Sequence, residues 1–235
     1  MKERKKFQKA LNDYYKHLLI RFNRGSDYID KHNDTKAVKE WELIKEELKL
    51  IESMIILYEE WYNMKNTLVV NLFGGPGCGK STLMARIFSE LKVQGYDCEM
   101  VTEFMKDLVW EKRTETFKDE LYIFAKQNHR LFRVNGKVNI IVTDRPLLLT
   151  NVYNQDDKEL CGLCLKTFKQ YNNLNFLLKR QTTYQENGRL QSEEDAIRID
   201  KITQDVLEFN GIDYYMFNND DLSSIMEVIK SHVDK

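Results

Sequence analysis

Proline is almost missing from this chain of 235 residues: Pro76 and Pro146 are the only two. Long helices and strands can run without the interruption proline imposes, and each proline marks a place where the backbone has to turn. Cysteine is equally scarce, with Cys78, Cys98, Cys161 and Cys164 too few to staple a chain of this length. The Cys161-Gly-Leu-Cys164 spacing would suit half of a zinc site. The four histidines, His17, His32, His129 and His232, offer no matching pair, so two small residues on a helix are the simpler expectation. Net charge is lacking too. With 36 Lys and Arg against 37 Asp and Glu the balance is −1, so no global field draws in nucleic acid or an anionic membrane, and any polyanion has to be bound locally. Nowhere do 18 apolar residues run together, and the opening MKERKKFQKALNDYYK lacks the apolar segment of a secretory signal. These absences leave the expectation of a soluble, cytosolic protein, and 42% hydrophobic residues with 11% aromatics suffice to fill a core.

The chain changes texture near residue 66. Before that point it holds one glycine, Gly25, and no proline, and its apolar residues keep helical spacing. Phe7, Ala10, Leu11, Tyr14, Tyr15, Leu18, Leu19 and Phe22 recur at i, i+3, i+4 and i+7, which predicts an amphipathic helix. The polar stretch NRGSDYIDKHNDT, residues 23–35, reads as a break. Beyond it Trp41, Ile44, Leu48, Ile51, Ile55, Tyr58 and Tyr62 step by three and four, and Leu43, Leu50, Met54, Leu57 and Trp61 widen the stripe into a second, longer helix. Residues 1–66 are expected to form a helical hairpin and residues 67–235 a separate domain.

From Thr67 onward short β-branched runs appear, TLVVNLF, CEMVTE, VNIIVTD, LNFLLKR and DYYMF, with helical stretches between them. Strands alternating with helices imply βαβ units, hence the α/β class with a five-stranded parallel sheet between helical layers. The first run ends on GGPGCGKST, which packs four of the ten glycines and one of the two prolines into residues 74–79. Gly74, four residues, then Gly79, Lys80 and Ser81 fits G-x-x-x-x-G-K-[ST] in full, between an apolar strand and an amphipathic helix. Glycines let consecutive N–H groups converge in one concavity, and a helix starting near Lys80 adds its positive end. Gly74, Gly75, Pro76, Gly77, Cys78, Gly79, Lys80, Ser81 and Thr82 are therefore candidates for binding a nucleoside triphosphate. Lys80 would meet the β- and γ-phosphates and Ser81 would ligate magnesium.

Ligands of doubly wound sheets sit beyond the carboxyl ends of the strands, so the residues there are read next. CEMVTE delivers Glu103, with Lys106 and Asp107 one helical turn on, and VNIIVTDRP delivers Asp144 and Arg145 before Pro146 turns the chain. Asp144 stands where a carboxylate holds a magnesium-bound water or receives a proton. Arg180 opens a polar loop that carries Arg189 and re-enters a helix behind Ser192. Arginines on such a loop can close over a triphosphate, exclude water and stabilise the transferring phosphoryl group. On ELYIFAKQNHRLFRVNG the apolar positions are Leu121, Phe124, Leu131 and Phe132, Gln127 is a candidate partner for a base or amide, and His129 reads as an exposed or packing residue. Glu103, Lys106, Gln127 and Arg145 form the candidate substrate-binding set.

GGPGCGKST, VTEFMKDL, FAKQNHRLF, VTDRPLLL and TTYQENGRLQSEEDA together resemble a family of small P-loop proteins. These are AAA-type ATPase/kinase domains related to the ribosylnicotinamide kinase domain and frequent in tailed-phage genomes. The order of motifs is also similar to deoxynucleoside and nucleoside monophosphate kinases. The resemblance implies a P-loop kinase-like three-layer sandwich that uses ATP and Mg2+, in host cytoplasm if phage-encoded. It also implies that Glu103 deprotonates the acceptor hydroxyl, Asp144 serves magnesium and Arg145 binds phosphate. The leading function is thus a kinase moving the γ-phosphoryl group of ATP to a nucleoside, a nucleotide or nicotinamide riboside. Two others stay open. An ATP-binding regulatory ATPase could act through the hairpin, whose Tyr14, Tyr15, Trp41, Tyr58, Trp61 and Tyr62 suit a protein partner or a second copy. A polynucleotide 5′-kinase could use the basic first 24 residues, eight Lys and Arg against two acids, to touch phosphates.

Overall fold

A computed structural model describes residues 2–32, 34–180 and 192–233, and the side chains of all of these but 2–5, 30, 60–66 and 114. The chain divides into two units, Met1–Tyr62 and Asn63–Lys235. In the first, helix α1 (Lys2–His32) continues straight through the polar stretch expected to break it, and α2 (Thr35–Asn66) follows at once. The lack of a side chain at Gly25 leaves room for α2 to pack closely there. The Trp41 ring fills the space a Cβ at position 25 would take, with Cδ1 at 2.9 Å, stacks on Phe22 at 4.7 Å and donates its Nε1–H to Phe22 O at 3.1 Å. Tyr28 then stacks on His32 one turn later, carrying α1 to its end. Asp34 caps α2 by accepting from the amides of Lys36 and Ala37. Leu18, Leu48 and Ile51 make the hairpin core, flanked by Leu11, Tyr15, Phe22, Ile44 and Ile55. Tyr14 and Tyr15 give their hydroxyls to Glu47 and Glu52, so both are engaged within the hairpin. The side chains of Trp61 and Tyr62 lie outside the described ones.

The second unit holds five parallel strands, β1 (Leu68–Phe73), β2 (Cys98–Val101), β3 (Ile140–Thr143), β4 (Asn172–Lys179) and β5 (Tyr215–Asn218), in the spatial order β2-β3-β1-β4-β5. Between and after them come α3 (Lys80–Val93), α4 (Phe104–Trp110), a 3-10 turn at Thr114–Lys118, α5 (Glu120–Phe132), α6 (Leu149–Tyr153), α7 (Lys158–Phe168), α8 (Glu193–Phe209) and α9 (Leu222–Val233). The α/β class, the five parallel strands and the helical hairpin expected from the sequence are all present.

Alternation along β1 explains the layers. Leu68, Val70 and Leu72 pack with Leu83, Met84, Ile87 and Leu91 of α3 and Ile225, Met226 and Ile229 of α9. Val69 and Phe73 point the other way, into a core with Phe124 and Leu131 of α5, Leu160 and Phe168 of α7, and Ile199 and Leu207 of α8. Asn71 is buried between the strands and donates to Asn173 Oδ1 at 2.9 Å and Asn175 Oδ1 at 3.0 Å. A slip of one residue between β1 and β4 would strand that amide, so the asparagines help to hold the register in which Asn71 faces Asn175. The apolar stripe of α5 is rotated from the expected one: Ile123, Phe124, Gln127 and Leu131 are buried, whereas Leu121 and Phe132 are 57% and 58% exposed. Among the described residues, no helix is long and apolar enough to cross a membrane.

Candidate active site

The chain leaves β1 at Phe73 and turns through Gly74 to Gly79 before α3 begins at Lys80. Gly79 makes this turn possible, with φ 88° and ψ 11°, a left-handed conformation that a Cβ would resist. Gly75 is needed for space, because a Cβ there would lie 2.6 Å from Asp200 Oδ1 and 2.7 Å from Ala196 O. The loop thereby presents the positive N-terminal end of α3 to a cleft. Lys80 braces the loop by donating from Nζ to Gly74 O at 2.6 Å and Gly75 O at 2.8 Å.

Strand order brings the next residues together. Because β3 lies between β1 and β2, Asp144 at its end stands between Ser81, which follows β1, and Glu103, which follows β2. Asp144 is 1% exposed. Its Oδ2 accepts from Ser81 Oγ at 2.6 Å and from Lys106 Nζ at 3.3 Å, and its Oδ1 accepts from the Glu103 amide at 3.0 Å. Lys106 donates to Ser81 Oγ as well, at 2.5 Å. Two hard oxygens, one of them anionic, therefore converge on a cationic group. That donor set suits magnesium, which prefers oxygen ligands and seldom takes more than one or two from the protein. Glu103 Oε1 lies 3.5 Å from Arg145 Nη1, and the Arg145 guanidinium covers the Tyr153 ring at 5.0 Å.

The cleft in front of this cluster has a volume of about 630 Å³. Its phosphate-loop side is lined by Pro76, Gly77 and Gly79 through Thr82, its polar side by Glu103, Lys106, Glu120 and Arg145, and its apolar wall by Met105, Val109, Trp110, Phe117, Leu149 and Tyr153. Glu120 Oε2 and Arg145 Nη2 are buried and find no hydrogen-bond partner among the described residues. Both residues line the cleft through other atoms, and these two polar atoms lie just behind its surface.

Of the residues singled out in the sequence, the phosphate loop, Glu103, Lys106, Asp144 and Arg145 meet at this rim. Gln127 does not. It is buried on α5, its Oε1 accepts from the Phe104 amide at 2.9 Å and its Nε2 donates to Thr102 O at 3.3 Å, so both amide ends secure the backbone on either side of Glu103. Helical spacing placed Gln127 on a helix without showing which way the helix faced. Arg180 is not an arm swinging from a loop either: Nε donates to Asp200 Oδ2 at 2.7 Å and Nη2 to Pro76 O at 2.8 Å. Arg189 lies outside the described residues, and Ser192 caps α8 by accepting from the Asp195 amide. Glu120 and the apolar wall were missed, since nothing in their local pattern marks them. Cys161 and Cys164 lie on α7, and burial pushes the Cys164 thiol up to about 12, so it offers no thiolate near neutral pH.

Asp200 was also missed. It lies one turn after Ala196 on α8, accepts the Gly75 amide at 2.6 Å and pairs with Arg180, so it clasps the outside of the phosphate loop. Replacing Asp200 with alanine removes the carboxylate that accepts from Arg180 Nε and from the Gly75 amide, an expected loss of about 2–3 kcal/mol even though Arg180 Nη2 keeps Pro76 O. A thermal melt is expected to fall by roughly 5–10 °C, with the asparagine variant falling less because it still accepts one of the two bonds. An alanine melt within one degree of the parent would contradict this clasp.

The model of the AAA domain family matches residues 69–224, well over half of the chain. The chain belongs to that family. Its P-loop kinase-like fold is seen again in the crystal structure of NadR protein in complex with NR, which is 16% identical with a TM-score of 0.54, over 74% of this chain and 54% of that one. This AAA-domain chain thus spans about half the length of the NadR chain it matches. A thymidylate kinase from Ehrlichia chaffeensis is 15% identical with a TM-score of 0.47, over 71% of this chain and 98% of that one. No curated protein matches the sequence.

Proposed function

We propose that the protein is an ATP- and magnesium-dependent kinase that transfers the γ-phosphoryl group to a small nucleoside-like acceptor. The observation that carries this reading is the meeting of Ser81, Asp144 and Glu103 at the ends of three neighbouring strands, beside a cleft with an apolar wall. The phosphate loop and Lys80 bind the triphosphate. Ser81 Oγ and the Asp144 carboxylate hold Mg2+, which when bound neutralises charge on the phosphate oxygens. Glu103 accepts the proton of the acceptor hydroxyl as the new O–P bond forms and the bond to the bridging oxygen breaks. Arg145 spreads the charge of the transferring group while pairing with Glu103. The apolar wall takes a ring and keeps water from competing as acceptor.

A second reading, an ATPase acting through the hairpin, draws on Leu43, Leu50 and Leu57, which recur every seventh residue along α2 and are exposed. The two readings part in an assay of ADP release with Mg2+ and ATP against nucleosides, nucleoside monophosphates, nicotinamide riboside and short oligonucleotides. The expected result is release that requires one of the small acceptors and does not respond to oligonucleotides. Release at one rate whatever is added would abandon the kinase in favour of the ATPase.

A further inference from the structure

We infer that Lys106 is a tethered cation that occupies the metal position between Ser81 and Asp144 and exchanges with the divalent ion, so that metal binding frees its ammonium for the acceptor side of the cleft. This rests on the proposed binding of a metal nucleotide at the phosphate loop.

The contacts of Lys106 Nζ, 2.5 Å to Ser81 Oγ and 3.3 Å to Asp144 Oδ2, are to the two oxygens that suit magnesium. Magnesium binds such oxygens at about 2.0–2.1 Å, and an ammonium held on the same pair would lie against it as a like charge. The Ser81 hydroxyl meanwhile donates to Asp144, so the oxygen lone pairs it has left are the ones Lys106 takes. Lysine and metal therefore exclude one another. The lysine also solves a problem of burial: the Asp144 side chain is almost entirely enclosed, and a carboxylate in that position needs a charge partner at all times.

The exchange needs no movement of the helix. The Lys106 side chain is 49% exposed on a flexible four-carbon stem. The backbone around it is pinned, because Gln127 holds the Phe104 amide, Arg130 donates to Thr102 O, and Arg130 pairs with Asp107. A displaced ammonium stays tethered one turn from Glu103, in the same cleft wall as Arg145. It reaches that place only when the metal has arrived, so a second cation joins Arg145 beside Glu103 and Glu120 in the metal-loaded protein alone.

The test uses the full chain with its lysines 15N-labelled and ADP as the nucleotide. An ammonium resonance protected by these hydrogen bonds, assigned by its loss in Lys106→Met, is expected in metal-free protein and with ADP in chelator, and is expected to vanish with Mg2+ and ADP. In parallel, Mn2+ binding to the ADP-loaded protein is followed by loss of the free-ion paramagnetic resonance signal. If lysine holds the site about nine-tenths of the time, Lys106→Met tightens Mn2+ about tenfold. A resonance that persists under saturating Mg2+ and ADP, or an Mn2+ affinity equal or weaker in the variant, overturns the exchange while nucleotide binding stands. Failure to bind ADP under any condition overturns the nucleotide reading and the exchange with it.

Discussion

Asp144→Asn is expected to lower kcat/KM by about a thousandfold or more, the scale seen when a main element of charge stabilisation is lost. The physical case rests on how many segments this carboxylate joins. It accepts from Ser81 of the phosphate loop, from Lys106 of α4 and from the amide of Glu103, and almost none of it is exposed. Asparagine keeps the shape but puts an NH2 donor where one oxygen accepts, so it opposes Ser81 and Lys106 and surrenders the charge a metal needs. Its melt is expected to stay within about 3 °C of the parent, because removing a buried charge also removes its desolvation cost. Asp144→Ala separates the two effects. It leaves the Ser81 hydroxyl and the Glu103 amide without their acceptor, which costs about 2–3 kcal/mol and lowers the melt by roughly 5–10 °C. Steady-state turnover with the acceptor that supports ADP release, set beside thermal melts of both variants, decides the matter. An asparagine variant keeping more than a tenth of parent activity would remove Asp144 from the reaction.

Glu103→Gln is expected to lower kcat by about 10²–10⁴ while leaving the Kd for ADP unchanged, the pattern of a group that acts only as the proton leaves the acceptor. Glutamine fills the same volume, leaves the backbone amide on Asp144 Oδ1, and can still direct an oxygen at Arg145. What it cannot do is take a proton. The split between kcat and nucleotide affinity is the decisive reading. Equal losses in both would place Glu103 on the nucleotide side of the cleft, and an undiminished kcat would hand the role of base to another group.

The parts of this molecule legible in the sequence are those set by neighbours along the chain. Six glycine, proline and cysteine residues followed by Lys80 and Ser81 specify a phosphate loop because the required φ values and the helix start are local. The strands were legible for the same reason, as apolar β-branched runs ending in turn residues. Local structure was not wholly legible: the polar residues after Phe22 have the composition of a break, yet α1 runs through them with the Trp41 indole packed over Gly25.

Glu103 and Asp144 were visible as strand ends, but their meeting was not. It follows from β3 pairing with β2, whose facing residues Cys98 and Ile140 are far apart in the chain, and with β1, where Ile140 faces Leu68, pairings that leave no periodic mark in the sequence. The same holds for Gln127, Arg180 and Lys106. Each was read as a group free to meet a ligand, whereas the structure commits Gln127 to backbone, Arg180 to Asp200 and the phosphate loop, and Lys106 to the two oxygens of the candidate metal site. Sequence by itself determined which elements form and which kind of chemistry one loop can perform, because propensity and spacing act over a few residues. Only the tertiary structure decided which polar side chains are already engaged and which still face the cleft, because hydrogen-bond partners are chosen by distance in space and not along the chain.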